Sequence, residues 1–167
     1  MQKGIQGNRL AVTDYANQKE FAMQLPEYIT VQEVQRVCKE LGLSDWSKIT
    51  EPKVLPKEAR IILGVVNTEG MNIPLEDFGA GLEVELEHGT QFKDANVTNN
   101  HPVLTGKIVL AHLKESMDYY KRLEVAEIEG DILKALVAKN LAKVEALHKK
   151  LAQAKLALCQ MESRQLG

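Results

Sequence analysis

The chain has 167 residues, 44% of them apolar, 5% aromatic and 26% charged, with a formal net charge of −2. That length suffices for one good core and a small appendage. Interspersed acids and bases remove the electrostatic ground for a nucleic-acid or anionic-membrane partner.

Residues 1–29 read as a polar N-terminal arm, with a weak helical stretch around 13–25 that Pro26 would end. Thr30-Val31-Gln32-Glu33 is a capping box, in which threonine oxygen and glutamate carboxylate serve each other's orphan amides. Val34, Val37, Cys38 and Leu41 follow as an apolar stripe, and Gly42 supplies the left-handed stop. Leu43 and Trp46 should tuck under that helix. Between 51 and 67 the pattern is open. Ile61-Ile62-Leu63-Gly64-Val65-Val66 fits a buried strand or a short buried helix, and Lys57-Glu58-Ala59-Arg60 tilts it modestly to helix. Asn67-Thr68-Glu69-Gly70 is a turn.

Pro74 can open the next helix and Gly89 can close it. At helical spacing Leu75, Phe78, Leu82 and Leu86 share one face. Asp77, Gly81, Glu85 and His88 form a second row, on which Gly81 implies a close neighbouring backbone. After a polar loop, Asn100 or Thr105 can cap a helix whose stripe contains Ile108, His112, Glu115, Tyr119, Leu123 and Ala126. From Ile132 onward the period becomes seven. Val137, Val144, Leu151 and Leu158 alternate with Leu133, Asn140, Leu147, Ala154 and Met161, about four heptads of a candidate coiled coil. Asn140 would fix register in that seam. The alternative is a long helix folded back on its own domain, with a break at Gly130-Asp131.

The chemistry centres on two short runs, Glu85-Leu86-Glu87-His88 and His112-Leu113-Lys114-Glu115. Each places an imidazole and a carboxylate three residues apart, on one helix face. On antiparallel helices Glu85, His88, His112 and Glu115 can converge. A crosswise-paired buried polar network, with the Tyr119 hydroxyl joining, needs no cofactor. The alternative is a metal site for one transition-metal ion such as zinc or iron, with Asp77, Glu87 or His101 available to complete a shell. The chain lacks the four carboxylate-bearing helices and paired E-x-x-H motifs of di-iron bundles.

Catalysis has little support. Cys38 lies on an apolar stripe, Ser47 and Ser116 lack a nucleophile-elbow context, and no phosphate-binding loop or dinucleotide fingerprint is present. His101 should be a solvent-exposed loop residue and His148 should flank the heptad seam. Cys38 and Cys159, without CxxC spacing, read as free thiols in a reducing compartment. The N-terminal MQKGIQGNRLAV lacks a signal-peptide core, and no run approaches a membrane span.

Two stretches resemble an uncharacterised domain family of tailed phages and bacteria. Its G-L-x-V-E-x-E-H-G pattern corresponds to residues 81–89, its N-V-T loop to 96–98, and its T-G-K-I-A-L-A-H-L-x-E-x-x-D-Y-Y-x-x-L pattern to 105–123, with Val109 where alanine is usual. Leu43-Ser44-Asp45-Trp46-Ser47 is similar to the family's preceding turn. The likeness spans about 30–125, outside the arm, the 61–66 run and the heptads. The family has no established activity, but a related pattern occurs in phage head and virion-associated proteins, so the resemblance implies assembly more than catalysis.

The expectation is therefore an all-α protein: arm 1–29, a compact helical domain over 30–128, and a long coiled-coil-like C-terminal helix over 129–167. It would be a non-enzymatic phage virion component acting through protein–protein contacts. Its partners would be its own copies, through 132–161, and other virion proteins, without nucleic acid or membrane. It would reside in the virion or the host cytoplasm and would not be secreted through a signal peptide.

Overall fold

The computed structural model describes residues 28–166. The arm up to residue 27, with its stretch at 13–25, lies outside them. The described residues form six α-helices and no strand: α1 Val31–Leu41, α2 Pro56–Val66, α3 Leu75–Gln91, α4 Pro102–Glu115, α5 Tyr119–Val137 and α6 Leu141–Leu166.

α1 begins as its sequence dictates. Thr30 Oγ1 accepts from the Glu33 amide at 3.2 Å, while the Glu33 carboxylate turns to the Arg36 guanidinium at 2.8 Å. Only half of the capping box forms. Gly42, with φ 68°, ends the helix in the left-handed region. Trp46 then turns under α1 and is fully buried.

The open segment at 61–66 is helical. Pro56 sits in the first turn of α2, where its missing N–H costs nothing, and Ala59, Ile62 and Val66 face inward. Pro74 opens α3 as expected, but Gly89 does not close it. Gly89 is not among the left-handed glycines and the helix runs on to Gln91; its missing Cβ instead leaves room for Asn96 and Asn100. Asn96 Nδ2 also bonds the Gly89 carbonyl at 3.2 Å.

Phe78, Leu82 and Leu86 of α3, Ile62 of α2 and Val109 and Leu113 of α4 make the core of the body. Two glycines set how closely its helices cross. A Cβ on Gly81 would stand 2.6 Å from Val109 and from the Tyr120 ring, and one on Gly106 would stand 2.5 Å from Ile62. The close neighbours of Gly81 are thus side chains, rather than the backbone its sequence context implies.

The C-terminal third is a helical hairpin. α5 passes through Gly130-Asp131 without a break, and the expected boundary at 128/129 falls inside it. The chain reverses at Ala138, Lys139 and Asn140. Lys139 adopts φ 55°, its amide bonds Leu136 O, and the Asn140 amide reaches back to Ala135 O, both at 2.9 Å. That is the double bond pattern of a left-handed helix stop. Asn140 does not sit in a seam; its side chain caps α6 by accepting from the Lys143 amide at 3.0 Å. The ion pairs Arg122–Glu162 and Glu129–Lys155 show that α6 runs back antiparallel along α5. The seam is Ile128, Ile132 and Ala135 against Val144, Leu147 and Leu151. Of the sevenfold positions on α5, Leu133 and Val137 point away, 64% and 77% exposed.

Candidate functional site

Of the four expected convergent side chains, the fold brings two together. Glu85 projects from α3 and His112 from α4, with Nε2 of the imidazole 3.5 Å from Oε1 of the carboxylate and exposures of 30% and 15%. His88 and Glu115 are exposed and lie outside the pair. The buried face of α4 is Pro102, Thr105, Gly106, Val109 and Leu113. At about 100° per residue His112 sits roughly 80° from the centre of that face and Glu115 roughly 140° from it. The couple lies at the edge of the core, and Glu115 turns to solvent.

The third member is Tyr120, not Tyr119. Its hydroxyl donates to Glu85 Oε1 at 2.8 Å. Burial first, and then the Glu85 charge and hydrogen bond, push the Tyr120 phenol far above its ordinary range, so it stays a protonated donor. Tyr119 instead lays its ring on the His112 imidazole, centroids 4.1 Å apart and planes 10° from parallel. Tyr120 meets the same imidazole edge-on at 5.9 Å. One carboxylate holding a phenol and an imidazole, covered by two rings, braces α3, α4 and α5 in a single register.

Among the described residues no three His, Cys, Asp or Glu side chains form a group that could hold a metal ion. The residues considered for completing a shell are engaged elsewhere. Asp77 pairs with Lys121 at 3.1 Å, and Glu87 is exposed, bonded to Gln91. His101 is not a solvated loop residue. It is 6% exposed and caps α4, its Nδ1 accepting from the Leu104 amide at 3.3 Å. Burial lowers its pKa from the ordinary 6.5, with the Glu33 charge opposing. Cys38 is buried, Cys159 exposed, and His148 lies exposed on α6.

Two buried acids escaped the sequence reading. Glu58 accepts from the Ser44 amide at 2.6 Å and from the Trp46 indole at 3.3 Å, fastening the 43–47 turn to α2. Asp118, 1% exposed, takes a forked pair of bonds from Arg122 at 2.9 and 2.7 Å and one from Ser116 Oγ. Arg122, foremost, holds the Asp118 carboxyl below its ordinary value. Arg122 also reaches Glu162 at 2.6 Å, so this cluster ties the foot of the hairpin together. The Ser-x-Asp spacing before Tyr119 was the available signal. Among the described residues no helix is long and apolar enough to cross a membrane.

Residues 34–129, more than half of the chain, match the model of a family described as "Protein of unknown function (DUF5661)", and the chain belongs to that family. No curated protein and no solved structure matches it.

Proposed function

We propose that this member of the family is a non-enzymatic assembly protein that works by docking its C-terminal hairpin, as a component of a phage particle. The observation that carries the reading is the apolar surface at the hairpin's turn. Leu133, Leu136, Val137 and Leu141 are 64%, 48%, 77% and 72% exposed within a few residues of one another. Clustered exposed apolar side chains at the end of a projecting element are the surface of an interaction site. The hairpin is long, its base is joined to α3 by Tyr120–Glu85 and Lys121–Asp77, and this apolar cluster lies at the opposite end of α5. The particle assignment is supported by the likeness of residues 81–89 and 105–123 to segments of phage head and virion-associated proteins.

The Glu85–His112–Tyr120 centre serves this role as a brace. A metal-binding reading would require two donors besides Glu85 and His112, and His88 and Glu115 would have to rotate inward to supply them. The particle assignment is tested by density-gradient purification followed by quantitative mass spectrometry. The protein should band with particles at a fixed copy number. Recovery solely in the soluble fraction would contradict the assignment.

A further inference from the structure

Gly130 is the only glycine of the hairpin, and nothing among the described residues accounts for it. Gly81 and Gly106 are each matched by a neighbour that would collide with a Cβ, whereas none of the described residues stands within 4 Å of where a Gly130 Cβ would be. Yet Gly130 lies in the middle of α5, where glycine costs about 1 kcal/mol against alanine. Gly64 in α2 is equally open, but its face carries the charged Lys57 and Arg60. The face of Gly130 carries Leu123, Ala126, Leu133 and Val137.

Those residues step by three and four, the spacing of a two-helix seam, and the row points away from α6. Leu123 packs partly against the body. Beyond it Ala126, Leu133 and Val137 are exposed, with Leu136 alongside. The charges at the edges give the row a direction. On one edge Arg122 and Glu129 are already tied across to Glu162 and Lys155 of α6. On the other edge stand Glu127 and Lys134, seven residues apart and opposite in sign. Glu127 makes no ion pair among the described residues beyond a longer-range attraction to Lys134, and the only ion pair of Lys134 among them is with Asp131 in its own helix at 2.9 Å.

From this we infer that α5 pairs with α5 of a second copy of this chain, antiparallel about a two-fold axis at Gly130. Gly130 then meets Gly130, so the two helices approach closely at the centre. Leu133 packs over Ala126 of the other copy and Val137 over its Leu123. Glu127 of each copy faces Lys134 of the other, twice by symmetry. The inference rests on the docking role proposed for the hairpin and specifies its first partner.

The test uses the full chain. Sedimentation should show a reversible dimer whose dissociation constant rises about tenfold or more in Leu133→Asp. Glu127→Lys should weaken it and Glu127→Lys with Lys134→Glu should restore it, two surface changes that leave the fold intact. In a Cys159→Ser background, Gly130→Cys should form a disulfide-linked dimer on mild oxidation, whereas Val137→Cys should not. Efficient Val137→Cys linkage would establish a parallel pair and overturn the inference. A chain monomeric at its highest soluble concentration also overturns it. If Leu133→Asp nevertheless loses particle association, the assembly reading survives alone. Dimers formed through this face without particle association uphold the pairing and remove the assembly role.

Discussion

The body and the hairpin dispose of their apolar surface in different ways. In the body, α2, α3 and α4 cross at Gly81 and Gly106, and Phe78, Leu82 and Leu86 are buried on all sides by the same chain. In the hairpin, two helices share one narrow seam of Ile132, Ala135 and Leu147, while Leu133, Val137 and Leu156 remain exposed. A two-helix unit has one shared face and two outward faces. Apolar residues placed outward gain nothing until another surface covers them. The body buries its apolar residues within its own fold, whereas the hairpin leaves Leu133, Val137 and Leu156 facing outward, the first two on the surface where the pairing is proposed.

The largest effect should come from emptying the body. Phe78→Ala is expected to cost about 3–5 kcal/mol, read as a lowered denaturation midpoint at unchanged slope. Leu147→Ala, in a seam that can collapse, should cost about 2 kcal/mol, the low end for such a truncation. Equal losses would erase the distinction drawn between the two regions. The glycines sharpen it further. Gly106→Ala should destabilise by about 1–3 kcal/mol through overpacking against Ile62, whereas Gly130→Ala should stabilise an isolated monomer by up to about 1 kcal/mol through helix propensity. Tyr120→Phe removes one donor from Glu85 and should cost about 1 kcal/mol, with thermal melting as the readout.

The smallest effect is pH-dependent. The pKa of His101 in the folded body lies below 6.5, so below that pH the unfolded chain binds a proton the folded one refuses. Stability should fall as pH drops through 6.5 towards the lowered value and level off beneath it. His101→Asn should flatten that slope. Tyr120 acts at the other end. Its raised pKa means stability is lost as pH climbs above 10, where the unfolded phenol ionises first.

Where a stop signal was local, the sequence disclosed the element. Thr30, Gly42 and Pro74 mark helix ends through the conformations and hydrogen bonds they require, and all three do so here. Two of the departures share another cause: a periodic stripe continues in the sequence across a break that no Gly or Pro announces. Ile108, His112 and Glu115 read as continuous with Tyr119 and Leu123, but Ser116 is extended, with φ −155° and ψ 129°. α5 therefore starts at a new angle, and the face of α4 is set by Pro102, Val109 and Leu113 instead. The heptads likewise crossed the reversal at Lys139, a non-glycine in the left-handed region. Half of the candidate centre was legible because Glu85 shares a row with Gly81. Tyr120 was not, since its place depends on how α5 departs from Asp118.

Hydrogen exchange on the full chain at several protein concentrations tests the division most directly. Amides of α5 around Ala126 to Val137 should become more protected as concentration rises, by mass action, while those of α2, α3 and α4 keep constant protection. Hairpin protection indifferent to concentration, or protection of the body that rises equally, would contradict the account.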